Sequence, residues 1–318
     1  NYLFLGKPDE ALVESRKGER FLTELGDKIG DKPVYKDDAF ARYLDALLYA
    51  DAGKKDDARI SYQAAQAAYA DYATAYGTPV PHFEFAKTTG KRGEVVFIHY
   101  NGVAPRKITK TFQIAWNQAL PLMQKSGDAE AEDARVKNAL KAGFMGRAVT
   151  VAFPAYTQDP YTIVSSEILV DDKPVASTIL MEDISAIAAK TLEHRMGAIK
   201  ARAIVRATVK YILAETAAKL AAKACDQAPG GSLGKMACKA VARGVAHGVA
   251  AASEYADTRG WAALPAQIRM ARVKLEPGSH NVAIYYKNST GVMVSSQTFS
   301  GVLVADRQRT YLSARTAQ

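Results

Sequence analysis

The chain is poor in the residues that most often announce a chemistry. Its 318 residues include two Cys, two Trp and five His. The histidines, His82, His99, His194, His247 and His280, form no HExxH and no other close ligand pair, which removes the usual zinc signatures. G-x-S-x-G, G-x-x-x-x-G-K-[ST] and G-x-G-x-x-G are missing, so there is no nucleophile elbow, phosphate loop or dinucleotide fingerprint. No uninterrupted apolar run approaches about 18 residues, which excludes a spanning helix. Nor is there a signal-peptide pattern. The chain opens Asn1-Tyr2 without an initiator Met, and an upstream segment carrying a signal peptide or a lipid-bearing cysteine is expected. These absences leave no catalytic, cofactor-binding or metal-binding residue to assign. Glu182 and Asp183 read as the acidic first turn of a helix, and Asn288-Ser289-Thr290 as a turn.

What is present begins with a phrase that occurs twice. Tyr2, Gly6 and Ala11 stand at spacings that recur in Tyr49, Gly53 and Ala58. Each Gly precedes a charged run, Lys7-Pro8-Asp9-Glu10 or Lys54-Lys55-Asp56-Asp57. A Gly suits the left-handed end of one helix, acids suit the start of the next, and a small residue suits the contact between them. With Ala46, Tyr62 and Ala65 the second copy completes most of a tetratricopeptide helix–turn–helix pattern. About one and a half units are visible, fewer than a free-standing solenoid needs, so this region is expected to lean on the rest of the protein.

The formal charge of +9 is unevenly placed. From Lys190 to Arg243 there are eleven Lys or Arg against Glu193, Glu215 and Asp226, a net of +8 that leaves +1 for the remainder. An anionic partner is one reading and a solvated helical hairpin the other. Nucleic acid is not expected, because aromatic–basic interleaving is lacking. Cys225 and Cys238 flank Pro229-Gly230-Gly231, where two Ala-rich arms would meet at a turn. A disulfide there implies an oxidising compartment; the alternative is two buried thiols.

Composition, at 48% apolar and 24% charged, is ordinary for a globular protein. The patterning divides the chain into four parts: tetratricopeptide-like helices over 1–80, a β-rich region over 81–181, an Ala-rich helical hairpin over 182–260 and a β region over 261–318. The fold class is α+β, with an antiparallel β region interrupted by the inserted hairpin. Strands are predicted at 94–100, closed by the turn pair Asn101-Gly102, at 106–116, 148–153 and within 161–180, with a turn at Asp171-Asp172. A helical or loose connection is predicted over 124–143. Strands return at 268–275, 281–286, 292–299 and 302–312. On the second arm Ala240, Gly244, Gly248 and Ala252 form a small-residue stripe that would let another helix approach closely. The alternative is that it packs only on the first arm.

Taken together, these segments resemble an uncharacterised family of bacterial envelope proteins described as tetratricopeptide-containing lipoproteins. The likeness is carried by Ala41-Arg42-Tyr43-Leu44 through Ala58-Arg59-Ile60-Ser61-Tyr62, by Gly93-Glu94-Val95-Val96 with Asn101-Gly102-Val103-Ala104-Pro105-Arg106-Lys107, by Ile187-Ala188-Ala189-Lys190 with Arg202-Ala203-Ile204-Val205-Arg206, and by Asp257-Thr258-Arg259-Gly260-Trp261 with Leu264-Pro265. The resemblance implies an exported, periplasmic protein associated with the outer membrane, and brings no catalytic residues. The expected function is a non-catalytic scaffold or assembly subunit, without cofactor, that acts through protein partners and forms a homo-oligomer or larger assembly. Rival readings are a regulator that activates a wall-synthesis enzyme, and an enzyme with an unrecognised site.

Overall fold

Four consecutive apolar residues, Val95 to Ile98, need cover on both sides, because successive strand side chains point to opposite faces. The computed structural model, which describes residues 2–29, 37–82, 91–115, 148–227 and 229–317, provides that cover. Strand β1 (Gly93–Asn101) is buried almost throughout. The chain divides into two compact units: Asn1–Pro105, Gln158–Thr191 and Trp261–Gln318 make the first, and Arg106–Thr157 with Leu192–Gly260 the second. The connection predicted over 124–143 lies outside the described residues.

In the first unit β1 is the inner strand of a four-stranded sheet. It pairs antiparallel with β7 (Gln267–Leu275) and parallel with β10 (Arg309–Thr316), and β6 (Ile179–Asp183) adds to β7. A second sheet has the order β5 (Lys173–Ser177), β4 (Ser165–Val170), β8 (Gly278–Lys287), β9 (Met293–Val304). Val95 and Phe97 face this second sheet, in a core with Ile168, Val282 and Ile284. Val96 and Ile98 face the other way, into a core with Tyr43, Leu47 and Tyr69 from the helices. The unit is therefore layered as helices, sheet and sheet, with β1 in the middle.

The helices are α1 (Pro8–Ile29), α2 (Ala39–Asp51) and α3 (Lys55–Tyr76). The second copy of the repeated phrase forms the helix–turn–helix that its residues predict. Asp38 caps α2 through Ala41 N–H at 2.8 Å, and Gly53 takes the left-handed turn at φ 75°. Asp56 and Asp57 open α3, and Ala46 and Ala58 are buried. In the first copy Gly6 takes φ 69° and Asp9 and Glu10 open α1. Before Gly6, however, stands only a three-residue 3₁₀ turn, and Ala11 is half-buried.

The second unit packs helix against a two-stranded ladder. Strands β2 (Arg106–Ala115) and β3 (Ala148–Thr157) pair antiparallel with Phe112 opposite Val151. Ile114, Val149 and Val151 share a core with Ala203, Ile204, Val205, Tyr211 and Ile212 of α4 (Ile184–Ala224), a 41-residue helix whose first turns belong to the first unit. Helix α5 (Gly231–Ala252) is the returning arm of the hairpin.

Several expectations are corrected. The β region is not wholly antiparallel: β10 leaves the second sheet through a turn with Arg307 at φ 54° and enters the first beside β1, so its direction is set by that crossing rather than by a hairpin. Asn101-Gly102 does turn, with Gly102 at φ 67°, but β2 pairs with β3 and not with β1. Glu182 and Asp183 end strand β6, opposite Ile268 and Gln267; Asp183 then caps α4 through Ala186 N–H at 2.9 Å. The strand predicted at 302–312 is divided: its first residues continue β9 past Gly301 at φ 65°, with a register shift opposite His280–Val282, and those from Arg309 on belong to β10 in the other sheet. The interruption by the hairpin is as expected: the 261–318 strands join those that precede it. They pair with β1, β4 and β6 from before the hairpin.

Candidate functional site

The hairpin of the second unit is built from its tip. Pro229 is followed by Gly230 and Gly231, both at positive φ (97° and 64°), a conformation that glycine adopts without a Cβ penalty. The turn brings Cys225 and Cys238 together as a disulfide with Cα atoms 5.6 Å apart. Lys239 pairs with Asp226 at 2.6 Å beside it. Further along, the His247 imidazole meets the Glu215 carboxylate at 2.8 Å, and the Tyr211 ring lies 4.7 Å from the imidazole. At the open end Glu254 is buried against Lys210 at 2.7 Å and Arg206 at 3.3 Å, and Lys210 also donates to the Ser253 carbonyl at 2.9 Å. A cavity of about 160 Å³ lies among Val149, Ala207, Tyr211, His247 and Glu254. Each buried carboxylate on this seam has a cationic or imidazole partner across the helix pair, so the seam sets the roll of α5 about its own axis.

That roll decides where the small-residue stripe points. Ala240, Gly244, Gly248 and Ala252 are all exposed, and a Cβ at Gly244 or Gly248 would meet no atom of the described residues within 4 Å. The half-buried positions of α5 are instead Gly234, Cys238, Lys239, Ala242, Ala246, His247 and Ala250. The stripe is therefore not the seam with the first arm. It shares an open face with Leu233, Val241, Val245 and Val249, which are 61–78% exposed. Sequence reasoning missed the real seam because α5 is small all round, and Ala242, Ala246 and Ala250 make a second stripe of the same spacing. Glu215, Glu254 and His247 were the signal: polar residues at helical spacing on two Ala-rich arms.

Charge separates by unit. The second unit holds 19 Lys and Arg against 9 Asp and Glu, a net of +10, and the first unit is left at −1. Comparison with protein-family models, curated proteins and solved structures returned no match. Function must be read from geometry alone.

The first unit has two buried polar clusters that sequence reasoning did not find. Glu94 accepts from Arg272 at 2.7 and 2.9 Å and from Arg309 at 2.7 Å; Arg272 also donates to the Tyr43 hydroxyl at 2.8 Å. Arg309 reaches Asp51 and the Leu47 carbonyl, and Tyr311 donates to Asp51 at 2.7 Å. This network ties α2 to the sheet. On the opposite face of β1, His99 contacts Ser166 Oγ at 3.0 Å and Thr316 Oγ1 at 2.8 Å, and Asn101 donates to the Ile163 carbonyl at 2.8 Å. Burial, reinforced by Arg269, lowers the His99 imidazole from 6.5 to about 4, so it is neutral near pH 7. Glu94 and Arg272 line a cavity of about 490 Å³, Asp51, Arg309 and Tyr311 line another of about 510 Å³, and His99 is fully buried. Among the described residues no group of three His, Cys, Asp or Glu side chains could hold a metal ion, and no helix is long and apolar enough to cross a membrane.

Proposed function

We propose that this chain is a non-catalytic scaffold or assembly subunit of the cell envelope that docks through the outer face of α5. The open face carries the reading: a row of exposed valines beside Gly244 and Gly248, on a hairpin whose other side is closed by a disulfide, the Glu254–Lys210 ion pair and the His247–Glu215 hydrogen bond. A contiguous exposed apolar patch on a folded protein marks an interaction site more often than a free surface. The disulfide supports export to an oxidising compartment such as the periplasm. The α2–α3 pair supports the tetratricopeptide-like label, here as one helix pair resting on a sheet rather than a free-standing repeat array.

The test is Val241→Gln with Val245→Gln, which makes the face polar with good helix formers and without altering charge. The folded double variant, checked by circular dichroism, is expected to leave the large complexes that hold the parent in envelope extracts. A folded variant of unchanged native mass in those extracts would overturn the reading.

A further inference from the structure

On α5, successive residues turn about 100° around the axis. Leu233, Ala240, Val241, Gly244, Val245 and Gly248 then fall in one sector about 140° wide that contains no charged residue. Lys235 and Arg243, both exposed, lie about 150° and about 130° from the sector's centre, on the far side of the helix. The outward face of the first arm adds Leu220, 64% exposed, between Lys219 and Lys223. The whole unit carries +10.

We propose that this face lies on the surface of an anionic bilayer, with the apolar sector at the headgroup–acyl boundary and the net positive charge of the unit drawing it to the headgroups. The proposal rests on the reading of α5 as the docking element and names the chemistry of its counterpart. Charge complementarity selects that counterpart. A second copy of the chain would bring another +10 unit to the same contact, and like charge opposes such a pairing. An anionic lipid surface supplies negative headgroups and an apolar layer together, which is what an amphipathic helix on a strongly basic unit requires.

The experiment is cosedimentation of the purified chain with phosphatidylcholine vesicles and with mixed phosphatidylcholine–phosphatidylglycerol vesicles. Binding to the mixed vesicles is expected to be at least about tenfold tighter and to weaken as salt shortens the screening length. Lys235→Gln with Arg243→Gln should weaken it less than loss of the valines does, because both cations act on the lipid only through the net charge of the unit. Val241→Gln with Val245→Gln should abolish most of it. Gly244→Leu with Gly248→Leu adds apolar surface, so lipid binding is kept or tightened, whereas a closely packed helix partner would be expelled. No binding to mixed vesicles at low salt, undiminished binding by the folded valine variant, or loss of binding in the folded leucine variant would each overturn the proposal. If vesicles fail but the valine variant still leaves its complexes, the docking reading stands with a protein, such as one with an acidic groove, as partner. If the valine variant changes neither vesicle binding nor complexes, both fall.

Discussion

His99 and Glu182 show how one buried ionisable side chain can set a pH response. His99 is neutral in the fold at pH values where the unfolded chain would protonate it. Its folded value, about 4, lies below the unfolded 6.5, so the unfolded state binds more protons between them and stability falls as pH drops through that window. The loss should reach up to about 3 kcal/mol, and His99→Gln should flatten it in denaturant titrations at several pH values. Glu182 acts in the opposite sense. Burial, then Asp38 and Asp183, hold its carboxyl well above the usual 4.5. A raised folded pKa confers stability at low pH that is lost as pH rises through that value. Glu182→Gln should therefore melt above the parent at mildly alkaline pH and close to it in acid; equal melting at both would show that Glu182 is not desolvated.

Elements are held by contacts of two kinds, small residues at helix crossings and charges at buried seams. Ala58 is 1% exposed where α3 meets α2, so Ala58→Arg forces bulk and an unpaired charge into that crossing. A cost of about 3 kcal/mol or more is expected, read as a lower denaturant midpoint. Glu94→Gln removes the anion shared by Arg272 and Arg309. It should cost about 3 kcal/mol, since an uncompensated buried cation is worse than no pair at all. At the hairpin tip the disulfide spans a sequence separation of 13, and Cys225→Ser with Cys238→Ser should lower stability by about 3 kcal/mol in the chain-entropy model. The loss should be concentrated in the second unit, and hydrogen exchange along α5 would locate it.

Across the whole molecule, protection should follow layering rather than sequence order. β1 is covered by helices on one face and by a second sheet on the other, so the amides of Val95 to Ile98 should exchange most slowly. The sequence by itself determined what short-range physics controls. Gly53 and its acids made a turn between helices; Pro229-Gly230-Gly231 brought two cysteines together; Asp171 and Asp172, at φ 48° and 66°, made the turn between β4 and β5. The run Val95–Ile98 announced a strand, and the basic residues between 190 and 243 announced where the charge would lie. Tertiary structure alone decided which strands met, since β1 finds β7 and β10 far along the chain and local pattern holds no record of a partner. It also decided that Glu182 belongs to a strand, because pairing with β7 outweighs the preference of acids for a helix start. It decided, too, which stripe of α5 faces outward. Half of α5 is Ala or Gly, and small residues stand on its outward and inward sides alike, so its seam is not fixed until Glu215 and Glu254 find their partners across it.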